Sequence, residues 1–248
     1  MTRHVLVIGA QRCGTTYLVA MLDEHPEIAM ARPSRPEPKA FMSGELAGRG
    51  LDWYRATYFA HATTESLLGE KSTSYLEDAR AAERAASVLG SAHIVVQLRD
   101  PLARAVSNWR FSAKHGLEDR PLARALEETL VAPRDWDPNV SSVSPFAYLE
   151  RGRFIDYLQP WYASFPDTIH VRFLEDVSAR RSTAGDLYGE LGVDPGFQPP
   201  GEGQRVNASE GAAPQLDDDL VRRLRAYFRE SDLRLSERLG RSLPWPSE

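Results

Sequence analysis

The run Val5–Leu22, VLVIGAQRCGTTYLVAML, decides the fold. Val5, Leu6, Val7 and Ile8 are consecutive apolar residues, a pattern that suits a short strand buried on both faces. Gly9 and Gly14 then bracket a tight loop, followed by Thr15 and Thr16. Beyond them Tyr17, Leu18, Met21 and Leu22 recur at helical spacing. Strand, loop and helix in this order make the plan of a phosphate-binding loop, in which successive backbone N–H groups and the positive end of the helix hold an anion. One position departs from the nucleotide triphosphatase pattern GxxxxGK[ST]. Thr15 stands where that pattern has the Lys that reaches the β- and γ-phosphates, and the cation nearby is Arg12, inside the loop. The expected anion is therefore not the γ-phosphate of ATP or GTP.

The 248 residues suit one α/β domain spanning 1–248, with room for a full core. A net charge of −5 argues against a nucleic-acid binder. The run at Val5 is too short to cross a bilayer and is broken by Gly9, and the first residues lack a signal-peptide pattern. Cys13 is the single cysteine, which excludes an internal disulfide and a multi-cysteine metal site. The expectation is a cytoplasmic protein without a transmembrane segment, monomeric or homodimeric.

Further along, His25-Pro26 ends the first helix, and Glu27–Met30 can form a short strand. Pro33, Pro36 and Pro38 stiffen the next segment, where Arg35, Glu37 and Lys39 alternate and, in an extended chain, face one side. That triplet reads either as a solvated surface or as a site. Leu51–Phe59 is aromatic and helical, with Trp53 in the core or on a pocket wall. Leu67-Leu68 reads as the end of a strand, which leaves Glu70, Lys71, Ser72 and Thr73 at its C-terminal edge, where open α/β sheets bind ligands. Ala79–Leu89 is helical and stops at Gly90. His93–Leu98 is a strong strand that runs into Arg99-Asp100-Pro101 and a helix carrying Ser107. Arg99 is either a surface ion-pair partner or a ligand contact.

Pro121–Leu130 reads as an amphipathic helix, and residues 132–145 as a surface loop, either a substrate lid or a plain connection. Helices follow over Phe146–Phe165, a strand at Ile169–Phe173, and a helix closing at Leu187–Leu191. Leu216–Leu239 is one long helix or a broken pair, and Trp245 is expected to pack back on the body. Strands alternating with helices predict an α/β fold, with a central parallel sheet covered by helices on both faces and a P-loop-like strand–loop–helix at the N-terminus.

The segments GAQRCGTT, EPKAF, GEKSTSYL and RDPLARAVSNW occur in that order. The chain resembles the PAPS-dependent sulfotransferases, whose donor is 3′-phosphoadenosine-5′-phosphosulfate (PAPS) and whose product is 3′-phosphoadenosine-5′-phosphate (PAP). The likeness is strongest to the branch with the heparan sulfate N- and O-sulfotransferase domains and bacterial small-molecule enzymes. The resemblance implies that Gln11, Arg12, Cys13, Gly14, Thr15 and Thr16 form the 5′-phosphosulfate loop, with Arg12 where most of the family has Lys. It puts Arg99 and Ser107 on the 3′-phosphate pair and Glu37 on the catalytic carboxylate of the heparan sulfate enzymes. Lys39 falls where some of these have His, and Lys71 lies near the donor sulfate and the acceptor; Trp53, read from its own segment as a pocket-wall residue, is taken as a further acceptor contact. Arg205 and Asn207 lie where the family's C-terminal loop closes over the nucleotide. Ala40-Phe41-Met42 departs from the two aromatics and a polar residue that many relatives carry.

The chemistry agrees with this reading. Sulfuryl transfer resembles phosphoryl transfer, with a loose in-line transition state, so catalysis is positioning plus fixed positive charge. Arg12 and Lys71 suit the sulfuryl and bridging oxygens, and a carboxylate flanked by cations can take the acceptor's proton. Arg12 stays charged and stabilises the leaving group electrostatically, not as an acid. No metal is required. The expected acceptor is a hydroxyl, or an amine, of a small, sugar-bearing or lipid-linked molecule, since a negative chain suits a polyanionic polymer poorly. Two other readings remain. One is a P-loop kinase or NTPase, disfavoured by Thr15. The other is a binding module that holds a nucleotide without chemistry, disfavoured by the pairing of Glu37 with Lys71. Should Glu37 not be the base, His61 and His115 are next in line, while His4, His25, His93 and His170 read as structural.

Overall fold

A computed structural model describes residues 3–137, 144–203 and 214–246. In chain order the first elements are β1 (Arg3–Gly9), α1 (Thr15–Glu24), β2 (Ile28–Met30), α2 (Gly44–Ala47), α3 (Gly50–Tyr58) and β3 (Leu67–Lys71). Next come α4 (Ala79–Leu89), β4 (His93–Leu98), α5 (Pro101–Lys114) and α6 (Leu122–Thr129). The last are α7 (Phe154–Ser164), β5 (Ile169–Phe173), α8 (Leu174–Ser178), α9 (Ala184–Leu191) and α10 (Asp218–Leu239). The chain divides into two compact units, one of Met1–Leu98 with Tyr157–Asn207 and one of Arg99–Asp156 with Ala208–Glu248.

The first unit holds a five-stranded sheet in the order β2-β3-β1-β4-β5, and every pairing is parallel. β1 is central because its residues can be buried on both faces. Val5, Leu6, Val7 and Ile8 are all fully buried, and successive residues of a strand point to opposite sides. On one side Val5 and Val7 pack with Leu18 and Leu22 of α1, Val95 of β4, and Leu187 and Leu191 of α9. Burying such side chains supplies roughly 1.5–3 kcal/mol each. From β1 the chain passes to β2 at one edge and returns through β3, then crosses β1 to β4 on its other flank. The crevice at the C-terminal ends of β1 and β4 is thus the switch point where ligands of open α/β sheets bind.

The strand at Leu67 runs further than the sequence suggests. Leu67-Leu68 begins β3 instead of ending it, and Glu70 and Lys71 lie within the strand, beside Leu6 and Val7 of β1. A Cβ at Gly69 would stand 2.3 Å from Met30 Sδ, so the glycine admits a neighbouring strand's side chain and does not end its own strand.

In the second unit α5, α6 and α10 close around Leu102, Ala105, Leu126, Tyr148, Leu149, Leu224 and Phe228. Asp100 caps α5 by accepting from the Leu102 N–H, with Pro101 in the first turn, and it also accepts a two-pronged Arg225 at 2.7 Å on both oxygens. Arg104 is fully buried and donates to Asn108 Oδ1 and the Tyr148 carbonyl. The last helix is one unbroken element, not a broken pair, and Trp245 is buried with its Nε1 donating to Asp232 Oδ2 at 3.0 Å. Residues 146–152 form turns and a short 3₁₀ segment where the sequence suggested helix.

Candidate functional site

The loop after β1 starts with Ala10, whose N–H donates to the Gln97 carbonyl at the end of β4, and closes with the Cys13 N–H on the Ala10 carbonyl. Gln97 is fully buried, and its Nε2 donates to the Cys13 carbonyl at 2.6 Å. Its Oε1 has no hydrogen-bond partner among the described residues. Arg12 and Gly14 both take left-handed conformations, at φ 68° and 81°. At Gly14 a Cβ would also stand 2.8 Å from Gln97 Nε2 and 2.9 Å from Leu174 Cδ1, so only glycine suits the position. Gly14 is the N-cap of α1 and offers no capping side chain, which leaves the first-turn N–H groups to an outside acceptor. Thr15 is buried and Cys13 wholly so, while Gln11 and Arg12 are half-buried. A loop of this shape fits a phosphate or phosphosulfate group.

A cavity of about 430 Å³ lies beside α1, lined among others by Tyr17, Leu18, Gln97, Arg172 and Arg180. That volume suits a nucleoside-sized ligand.

At the end of β3 a second cluster forms. Lys71 Nζ stands 3.1 Å from Glu37 Oε1, with both side chains about one-fifth exposed. Glu37 Oε2 accepts from the Thr73 N–H at 2.9 Å, and Thr73 Oγ1 donates at 3.2 Å to the carboxylate. A carboxylate offers about four lone-pair directions, so these donors leave room for one more. The cluster is joined to β1 by the Ser72 N–H, which donates to the Val7 carbonyl. Lys39 breaks the expected extended alternation. It takes a left-handed conformation at φ 52°, with its N–H donating to Ser72 Oγ at 2.9 Å. Trp53 lies on α3, half-buried, with its ring edge-on to Tyr58 and the Arg49 guanidinium 5.0 Å from its centroid. Tyr58 in turn donates to the Pro38 carbonyl, between Glu37 and Lys39.

Beneath this cluster is a group that the sequence placed at the sheet edge without giving it a role. Glu70 is fully buried, and its two oxygens accept from Ser72 Oγ, Tyr75 OH and Tyr54 OH at 2.6, 2.6 and 2.7 Å. Burial pushes its carboxyl up, against the pull of those three hydrogen bonds. The signal for it in the sequence was a carboxylate flanked by Gly69 and Lys71 inside a strand. Thr73 as a donor to Glu37 was also missed, although it lies in the same GEKSTSYL motif.

Arg99 and Ser107 belong to the second unit. Arg99 immediately precedes the cap of α5 and is half-buried, while Ser107 is buried on that helix. Arg205 and Asn207 lie outside the described residues, as does the middle of the 132–145 loop. His61 is exposed, and exposed His115 lies against the Phe111 carbonyl. His4 and His25 are buried on structural partners, the former held at about 4 by burial and by Arg55. His93 and His170 meet each other at 3.0 Å. Among the described residues no group of three or more His, Cys, Asp or Glu is placed to hold a metal ion, and no helix is long and apolar enough to cross a membrane.

A family model described as a sulfotransferase domain matches residues 2–176, more than half of the chain. The mouse protein named bifunctional heparan sulfate N-deacetylase/N-sulfotransferase 4 is 28% identical over 267 residues, covering 96% of this chain and 30% of its own length. The human protein named bifunctional heparan sulfate N-deacetylase/N-sulfotransferase 1 is 26% identical over 270 residues, 97% of this chain and again 30% of its own. The chain therefore spans about 30% of the length of these relatives. Among solved structures, a sulfotransferase from Alicyclobacillus acidocaldarius matches with a TM-score of 0.76 at 22% identity, over 98% of both chains. The sulfotransferase domain from the curacin biosynthetic pathway matches at 0.53 and 15%, over 98% of this chain and 99% of its own. These two likenesses place the all-parallel sheet and its first loop in the P-loop-like class of α/β folds. Within that class the chain belongs to the sulfotransferase family.

Proposed function

We propose that the protein transfers a sulfuryl group from PAPS to a hydroxyl or amine of a sugar-bearing or small acceptor, with Glu37 as the general base. The observation that carries this reading is the Glu37 carboxylate, oriented by Lys71 and by Thr73 at the C-terminal end of β3, next to the strand that feeds the phosphate loop. The loop suits the donor's 5′ end, because Gly14 gives the left-handed turn into α1 and that helix begins without a side-chain cap. When bound, PAPS supplies the sulfuryl group and leaves as PAP.

The chain's own residues do the rest. In the loop from Gln11 to Thr16, Gly14, Thr15 and Thr16 are assigned to the 5′-phosphate, and the Arg12 guanidinium to the peripheral and bridging oxygens. Arg99 and Ser107 are assigned to the 3′-phosphate, and Arg205 and Asn207 to closure over the nucleotide. Glu37 accepts the proton that the acceptor's O–H or N–H must lose. Lys71 keeps the carboxylate in place and adds positive charge where negative charge builds up. Lys39 and Trp53 are assigned to the acceptor. The relatives named for heparan sulfate N-sulfotransfer favour a sugar-bearing acceptor, and the net charge of −5 favours one smaller than a sulfated polymer.

The test pairs binding with transfer. PAP should raise the melting temperature well above the shift given by ATP with magnesium. A screen of pooled sugars, aminosugars and small hydroxylated metabolites with PAPS should yield a product heavier by one SO3 group. Equal stabilisation by both nucleotides would favour the kinase reading. PAP binding with no transfer to any acceptor, and none to water, would favour the binding module.

A further inference from the structure

We infer that Glu70 is a positioning residue for the sulfuryl-transfer site, setting through two hydroxyl groups the backbone of the loop that carries Glu37. The inference rests on the reading of Glu37 as the base.

The geometry runs outward from the buried carboxylate in two arms. In one arm Ser72 donates its hydroxyl proton to Glu70 Oε1 at 2.6 Å, and the same oxygen, Ser72 Oγ, accepts from the Lys39 N–H at 2.9 Å. In the other Tyr75 donates to Glu70 Oε1 at 2.6 Å, and its hydroxyl oxygen accepts from the Phe41 N–H at 3.1 Å. A hydroxyl has one proton and can rotate to spend it on any acceptor nearby. The carboxylate is an acceptor only, so it fixes both protons inward and turns both lone-pair sides toward the loop. Tyr54 completes the set on Glu70 Oε2 at 2.7 Å.

The loop needs such fixing. Lys39 sits at φ 52°, a conformation that costs a non-glycine residue free energy and persists only where the surroundings hold it. Arg84 Nη1 donates to the carbonyls of Phe41 and Met42 at 3.1 and 2.7 Å, so N–H and C=O groups of the segment are held from opposite directions. Glu37 lies two residues before Lys39, and its carboxylate meets Lys71 and Thr73, which flank Ser72. One short stretch, Glu70 to Tyr75, thus grips the loop both by its backbone and by the carboxylate it carries. A buried carboxylate costs folding free energy, which its three hydroxyl donors offset in part. Burial indeed pushes this carboxyl up, and its hydroxyl partners restrain the rise.

The experiment combines amide hydrogen exchange with turnover in Glu70→Gln. The amide group of Gln, with its nitrogen turned to the Ser72 and Tyr75 side by the Tyr54 hydroxyl donating to its oxygen, puts a donor where both arms had an acceptor and frees their protons to turn away. Exchange at the Lys39 and Phe41 amides should rise about tenfold or more, while amides within β1 and β4 keep their protection. PAP release from PAPS, with the acceptor found by the screen or with water in its place, should fall at least about tenfold, and PAP affinity should stay within about twofold. In a Glu37→Gln background the same change should cost less than about twofold, because a positioning residue acts through the group it positions.

Unchanged exchange at both amides, full turnover, or losses that multiply in the double variant would each overturn the inference. Should Glu70→Gln fail to fold, Ser72→Ala and Tyr75→Phe each remove one arm. Each should loosen its own amide and slow turnover, and retention of both properties in both variants would overturn the inference as well. Failure of the underlying reading looks different. There Glu37→Gln itself keeps full turnover, whatever Glu70→Gln does.

Discussion

Lys71 Nζ and Glu37 Oε1 stand 3.1 Å apart, although they lie on different segments, one on a central strand and the other on a proline-stiffened loop. Neither side chain is far from water, so the pair is worth little as a stabilising ion pair. Its worth is geometric. Lys71 is fixed by the register of β3 against β1, where it pairs with Val7, and so it carries the carboxylate to the sheet edge at which the phosphate loop begins.

Glu37→Gln keeps the shape and the Thr73 contact but cannot take a proton. Steady-state assays should show kcat lower by ~100- to 10,000-fold, the usual loss for a general base. Calorimetry should find PAP affinity unchanged within about twofold, since no nucleotide contact is assigned to Glu37. A variant with full kcat would remove Glu37 from the mechanism and bring His61 and His115 forward.

Much of this site was legible before the fold. The apolar run Val5–Ile8, the spacing of Gly9 and Gly14, and the helical pattern after Thr16 each report local physics, and all three agree. The approach of Glu37 to Lys71 was not derivable in the same way, because it depends on the parallel register of β3 and on a left-handed turn at Lys39. Periodicity carries neither kind of information; only the family resemblance put those two residues in one site. The end of β3 was placed too early, at Leu67-Leu68, because Gly69, Glu70 and Lys71 lack the apolar pattern of a buried strand although they pair along β1. Glu70 was placed at the ligand-binding edge, but its closure under Tyr54 and Tyr75 depends on side-chain packing that the pattern GEKSTSYL does not report.

Gly14→Ala tests the loop. The new methyl meets Gln97 and Leu174, and the residue must hold φ near 81°. Left-handed backbone alone costs a residue with a Cβ roughly 1–2 kcal/mol. Urea denaturation should register at least that loss, and PAP binding should weaken more than tenfold as the loop reshapes. A variant of native stability that binds PAP normally would show that the loop does not cradle the 5′ end.

Arg99→Ala tests the other end of the nucleotide. A lost charge-assisted hydrogen bond is worth about 1.5–3 kcal/mol, or roughly 10- to 100-fold in affinity. PAP should weaken by that factor, while adenosine 5′-phosphate, which lacks the 3′-phosphate, should bind as before. Equal weakening of both ligands would take Arg99 off the 3′-phosphate. Ser107→Ala should discriminate in the same direction by a smaller factor, since it removes a neutral donor.

Asp232 makes stability depend on pH. Its side chain is buried on α10, and burial raises its carboxyl from an ordinary 3.8 to about 6, against the pull of the Trp245 hydrogen bond and of Arg225. Between those two values the folded chain keeps a proton that the unfolded chain releases. The Asp232 contribution to stability is therefore fully present below about pH 4, falls as pH rises toward 6, and is gone above it. The span corresponds to a few kcal/mol, on the order of 2–3. Asp232→Asn keeps an oxygen for the Trp245 Nε1 and has no charge to bury. Urea denaturation from pH 4 to pH 7 should show a smaller decline for the variant than for the native chain, and at pH 7 the variant should be the more stable of the two. Parallel pH curves for the two proteins would mean that Asp232 is already ionised across this range, with its charge met by Arg225 or by water.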